Sequence, residues 1–389
     1  MINKEKNEKI LMIILAILSF AIGIWENYRQ LWLDSMGFNI VNISRIYSIA
    51  LICSAIISFV ISMFSYNIKL KSIINLSILF RIISLVLLLL IKNTFIIKFS
   101  FLLCIISDVI FSISFYPLLT YINKSEESFK KKTLIEYFSR DIGIVGCGLL
   151  IGVYIGSYVF SYTTCLIISL IFSIIAIILM FSFKCNERKS RNYNVMKSIK
   201  KILSDKVNRL FVFNNIIIKI SYGIVYSLIM LILVNYINID IRTASVYIIV
   251  CNVLASFLAL IFSKISKNYS TTKSAIIKFG ARILFYLIAF IFSNNIVFFI
   301  AITIGNITSR MLEEKITAPF LQNIKSEDQF LFSNFRYLAL CLGEGIGAFL
   351  AGVLIVYSVK YLFLGAIIFT IIQIFIYNKL DILKENNKW

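Results

Sequence analysis

At 389 residues, with 60% hydrophobic and only 15% charged, the chain cannot be an ordinary soluble protein, which needs about a quarter of its residues charged to cover its surface. The formal net charge is +20, yet the basic residues sit in short runs between apolar stretches, as topology signals do, so no nucleic-acid partner is expected. There is no histidine, and the seven cysteines show no C-x-x-C spacing, so no metal or cofactor is expected either.

Each crossing of a bilayer takes roughly 20 mostly apolar residues, because every backbone N–H and C=O must be paired inside the segment. The first candidate follows the charged run from Lys4 to Lys9. Its apolar stretch begins at Ile10 and continues through Trp25 to Leu31 with no small-x-small cleavage site, so it reads as a span and not as a signal peptide. In chain order the predicted helices cover 10–33, 41–66, 70–91, 96–122, 134–156 and 163–183. A polar stretch follows, carrying Arg188, Lys189, Arg191, Lys197, Lys200 and Lys201. Beyond it the predicted helices cover 210–236, 243–266, 274–292, 296–322, 330–357 and 359–378. The fold class is therefore an all-α membrane protein of about twelve transmembrane helices. The expected domains are an N-terminal six-helix half at 1–183, a basic cytoplasmic linker at 184–209 and a C-terminal six-helix half at 210–389.

With the N-terminus in the cytoplasm, the external loops hold only Arg45, Lys92, Lys98, Arg242 and Lys360, while the internal segments hold most of the remaining Lys and Arg. That imbalance satisfies the positive-inside rule with both termini cytoplasmic, and a plasma membrane is the expected location. The halves also repeat. A shift of 200 places Gly23-Ile24 on Gly223-Ile224, Leu31 on Leu231 and Tyr47 on Tyr247. A shift of 202 places Pro117 on Pro319 and Asp108 on Arg310, and a shift of 196 places Arg140 on Arg336.

Two like halves of six spans, a basic central linker and internal termini together resemble the major facilitator superfamily. The resemblance covers essentially the whole chain, but it is architectural. The family signature between the second and third helices, Gly-x-x-x-Asp-Arg-x-Gly-Arg, is here Ser62-Met63-Phe64-Ser65-Tyr66-Asn67-Ile68-Lys69-Leu70-Lys71, with the acid and the glycines gone and the basic character kept. The fifth helix carries Gly148-x-x-x-Gly152-Val153-Tyr154-Ile155-Gly156-Ser157, similar to the Gly-x-x-x-Gly-Pro-x-x-Gly-Gly pattern of drug/proton antiporters. Small residues four apart also serve close packing of membrane helices in any fold.

The resemblance implies a secondary transporter of a small solute, with the first, fourth, seventh and tenth helices lining a central cavity. Those helices carry Glu26, Arg29, Asp108, Lys219, Arg310, Glu313 and Glu314, and the eleventh carries Glu344. A charge at the hydrocarbon centre costs about 2.5–3.5 kcal/mol on insertion scales, so each needs a partner, water or a route to the interface. These eight residues are the expected substrate or proton pathway. Structural pairing is the competing reading for each. Glu136, Arg140, Asp141 and Arg336, near cytoplasmic helix ends, are expected as a gate or structural pairs. For Arg81 and Arg282, on helices expected at the periphery, snorkelling or structural pairing is the expectation. Without histidine, proton coupling runs through carboxyls, with Asp108 the first candidate beside Glu344 and Glu26.

The expected function is alternating-access transport coupled to protons, by a monomer. The fifth-helix pattern tilts the direction to export of a drug or small amphipathic molecule. A nutrient importer or a lipid-type flippase of the same fold is the alternative. A membrane-embedded transferase needs a general base and usually a polar loop or metal, which this sequence does not offer, so no enzyme activity is expected.

Overall fold

A computed structural model describes residues 4–64, 69–123, 147–158, 161–183, 195–265, 269–292, 294–310 and 329–386. Among them every regular element is a helix. In chain order these are α1 Lys4–Glu26, α2 Arg29–Ser35, α3 Ile40–Phe64, α4 Leu70–Leu90, α5 Thr94–Asn123, α6 Cys147–Tyr158 and α7 Tyr162–Ser182. The second series is α8 Val195–Ser204, α9 Lys206–Tyr226, α10 Ile229–Leu231, α11 Ile241–Ile265, α12 Thr271–Phe292, α13 Asn295–Arg310, α14 Gln329–Ile355 and α15 Lys360–Asn386. Nine helices among the described residues are long and apolar enough to cross a membrane, and three shorter apolar helices fall at predicted spans. Large apolar side chains point outwards, among them Ile56, Phe181, Phe257, Ile291 and Phe375. Water would not tolerate so broad an apolar surface, and lipid does. The protein is an integral, multi-pass membrane protein.

The chain divides into two compact units. One comprises Met1–Gly37 with Ile56–Tyr193, the other Phe38–Ala55 with Asn194–Trp389. The first part of α3 thus groups with the second unit. There Gly345 and Gly352 of α14 lie against Ser48, Ile52 and Ser44 of α3, with no room for a side chain larger than hydrogen at Gly352.

In the first unit α1 packs on α7, α4 lies between α5 and α7, and one apolar cluster joins Leu11, Ile14 and Leu18 to Ile74, Ile78, Phe111, Phe115, Ala176 and Met180. In the second unit α9 packs on α15, and α12 lies between α13 and α15. The same neighbour relations therefore recur. So do the glycine crossings. A Cβ on Gly152 would sit 2.6 Å from the Phe20 carbonyl oxygen and 2.7 Å from the Ile24 nitrogen, so α6 and α1 touch backbone to backbone. A Cβ on Gly347 would sit 2.6 Å from the Ile220 carbonyl oxygen and 2.8 Å from the Gly223 Cα, and α14 meets α9 in the same way.

α1 and its counterpart α9, 200 residues on, break at the same place. α1 stops at Glu26 and restarts at Arg29. α9 stops at Tyr226, restarts for one turn at Ile229 and passes into a π-helical turn at Ile232–Tyr236. The Tyr28 hydroxyl, at the first break, donates to the Val153 carbonyl of α6 at 2.8 Å.

Candidate functional site

In the first unit α1, α2, α4, α5 and α7 bring a charged cluster together. Arg81, midway along α4 and 2% exposed, donates from Nη1 to Asp108 Oδ1 of α5 at 2.5 Å. Its Nη2 donates to the Ala21 carbonyl at 2.9 Å and to Ser169 Oγ at 3.1 Å, and Ser169 itself donates to the same carbonyl at 2.7 Å. Arg29, the first residue after the α1 break, approaches Asp108 Oδ2 at 3.6 Å and Glu26 Oε1 at 3.4 Å, with its guanidinium over the Phe101 ring. Asp108 is thus shared between two arginines. A buried pair of this kind is stable only with good geometry and with its other donors satisfied; Ala21 and Ser169 take those of Arg81 Nη2, while its Nε is buried without a hydrogen bond among the described residues.

The second unit builds a different arrangement. Lys219 of α9 donates to Glu344 Oε2 of α14 at 2.8 Å, and both side chains are 28% exposed. The two helices approach closely enough for this because Gly343 and Gly347, on either side of Glu344, leave no side chain between the backbones. The ammonium also lies 4.5 Å from the centre of the Tyr222 ring, which stacks on Tyr226 at 4.5 Å and 14°. The Tyr226 hydroxyl donates to the Ile302 carbonyl of α13. Deeper in the same unit lies Arg282 of α12, 2% exposed, donating from Nε to Thr308 Oγ1 at 2.8 Å and from Nη2 to the Gly305 carbonyl at 3.2 Å.

The residues expected from sequence therefore separate. Glu26, Arg29 and Asp108 meet in one unit, Lys219 and Glu344 in the other. Arg310 ends α13, with its side chain outside the described residues, as are Glu313, Glu314, Glu136, Arg140 and Asp141. Arg336 is half-buried in α14. Two residues expected at the periphery, Arg81 and Arg282, are instead among the most buried polar groups. The signal was present in the sequence, since they lie 201 residues apart, one step from the shift that aligns Gly23 with Gly223. Lys71, which keeps the basic character of the loop signature, donates to the carbonyls of Phe181 and Phe183 at the end of α7, a cation at a helix C-terminus.

No family model matches the chain, and no curated protein matches it in sequence. Solved structures do match in fold. A crystal structure of the nucleoside transporter NupG superposes with a TM-score of 0.73 at 11% identity, covering 96% of this chain and 98% of that one. A bacterial homologue of the iron transporter ferroportin, in an inward-facing state, superposes at 0.69 with 10% identity, covering 97% and 98%. The chain has the fold of these transporters, the all-helical major facilitator architecture, over nearly its whole length.

Proposed function

We propose that the protein is a secondary active transporter that moves a small solute by alternating access, coupled to protons through Glu344. The observation that carries this reading is the Lys219–Glu344 pair. It joins two charges near the middle of two apolar helices, each side chain 28% exposed and each able to release the other. Asp108 is engaged by two guanidiniums, those of Arg81 and Arg29, which favours a structural role for it. Glu344 has a single cationic partner among the described residues. Protonating it frees the Lys219 ammonium, which then has the stacked Tyr222 and Tyr226 rings beside it. That combination suits a planar or amphipathic solute with an acceptor group. The α6 glycines, which favoured export from sequence, are accounted for by their packing on α1, so the reading rests on the charges instead.

The test uses protein reconstituted in vesicles, with nucleosides and amphipathic organic ions as a panel and a pH-reporting dye in the lumen. A solute that moves protons in the native protein should exchange across Glu344→Gln vesicles but no longer accumulate on a pH gradient. Uphill accumulation on a proton gradient by Glu344→Gln would exclude this residue as the coupling group. Absence of any solute movement by the native protein across the whole panel would count against the transport reading itself.

A further inference from the structure

The first unit's buried cluster maps onto the second almost residue for residue. Arg81 corresponds to Arg282, Ser169 to Thr370, Ala21 to Ser221 and Asp108 to Thr308, at shifts of 200 or 201. The contacts correspond in part, for Arg282 bonds Thr308 and Gly305 and, among the described residues, has no counterpart of the bonds from Arg81 to Ala21 and Ser169. Arg81 reaches across to residue 108 of α5, and Arg282 reaches across to residue 308 of α13. Ser169 bonds the α1 backbone at Ala21, and Thr370 bonds Ser221 of α9 at 3.0 Å. One chemical difference stands out. Where the first unit places a carboxylate, the second places a hydroxyl.

Among the described residues, Arg282 consequently holds its positive charge at 2% exposure with neutral partners only. These are Thr308, the Gly305 carbonyl and the Phe279 ring, whose centre is 5.7 Å from its guanidinium carbon. Among the described residues it has no carboxylate partner, and its Nη1 makes no hydrogen bond. The phenol hydroxyls of Tyr226 and Tyr286 lie beside Gly305 and within electrostatic reach of the same guanidinium. An arginine stays protonated in proteins, so it cannot escape the burial cost by losing its charge. We infer that Arg282, through its Nη1 and with the Tyr286 hydroxyl near it, forms an anion-binding site beside Thr308, taking a halide or the carboxylate of a small solute where the other unit has the carboxylate of Asp108. The Tyr226 hydroxyl donates to the Ile302 carbonyl and Thr308 to the carbonyls of Ile304 and Gly305, so the guanidinium, with the Tyr286 phenol nearby, is the donor left for the anion.

The experiment measures thermal unfolding of the detergent-purified full chain at constant ionic strength. Chloride or acetate replaces isethionate, a larger and weakly coordinating anion that serves as the reference. In the native protein one of the two anions should raise the midpoint by about 2–4 °C and saturate, as site binding does and bulk salt does not. A response to chloride alone assigns an inorganic anion, and a response to acetate assigns a carboxylate. Thr308→Asp rebuilds the first unit's arrangement and should unfold at one midpoint in all three salts. Arg282→Gln removes the charge and with it the need for an anion, so it should show the same loss of response even if the aspartate variant does not purify. No saturable rise in the native protein overturns the site, and so does a rise that survives in the variants. Because stability is the readout, either failure leaves the transport reading untouched.

Discussion

Arg81 makes its contacts from the middle of an apolar helix, with Asp108, Ala21 and Ser169 taking donors from its two terminal nitrogens. Removing one partner of such a pair strands the other in a poorly solvated site, at a cost of about 3–5 kcal/mol. Arg81→Gln should therefore destabilise the protein by that order, and Asp108→Asn by less, since Arg81 keeps its contacts to Ala21 and Ser169. The double variant should cost clearly less than the sum, because neither charge is then left alone. Additive effects in a thermal-unfolding cycle would mean that the contact contributes little. This cluster was only half legible in the sequence. Within one helical turn Asp108 has no basic neighbour, and local spacing sees only that turn. Its partner lies 27 residues away on another helix, which only the fold brings near. Lys219 and Glu344 were singled out as charges within apolar helices, not as a pair, since 125 residues separate them.

Helices and their ends were far more legible, because length, apolarity and polar punctuation are local properties. Asn39 and Asn93 accept from the backbone N–H groups of Asn42 and Phe95 at 2.8 and 2.9 Å. Asp240 and Asn294 do the same for Thr243 and Ile296, again 201 residues on. Asp240 titrates. Hydrogen bonds from the Thr243 side chain and backbone hold its carboxyl below the ordinary aspartate range. Its contribution to the start of α11 is thus complete above the ordinary aspartate pKa and is lost as pH falls through the lowered folded value. Asp240→Asn should flatten that part of the stability–pH curve while keeping a cap, and an unchanged curve would assign the acid sensitivity elsewhere. Glycines test the packing between helices. Gly152→Ala puts a Cβ into the backbone of α1 and should cost about 1–3 kcal/mol as α1 and α6 are forced apart. A Cβ on Gly280 of α12 meets nothing within 4 Å, so Gly280→Ala should stabilise by about 0.5–1 kcal/mol through helix propensity. Equal responses at the two sites, measured by thermal unfolding, would deny that the α1–α6 contact is a close crossing.

At the scale of the whole molecule the tightly capped connections and the basic segments alternate along the chain. The turns at Asn39, Asn93, Asp240 and Asn294 follow odd-numbered predicted spans, and each is closed by its own side chain with few positive charges. Lys69 and Lys71 follow the second span, and Lys197, Lys200 and Lys201 follow the sixth, where α8 forms a short basic helix ahead of α9. Lysine and arginine are retained on the cytoplasmic side during insertion, whereas short, weakly charged turns are readily translocated. Reporter fusions after Lys267 and Lys325 should therefore read cytoplasmic, and fusions after Asn238 and Lys360 external. The pairs test different things. Asn238 and Lys267 bracket α11, so their opposition checks that this helix crosses, although its described apolar stretch is among the shorter ones. Lys325 and Lys360 bracket α14, the helix that carries Glu344. If those two read the same side, α14 does not cross, Glu344 is not at mid-depth, and the coupling role proposed for it loses its physical basis.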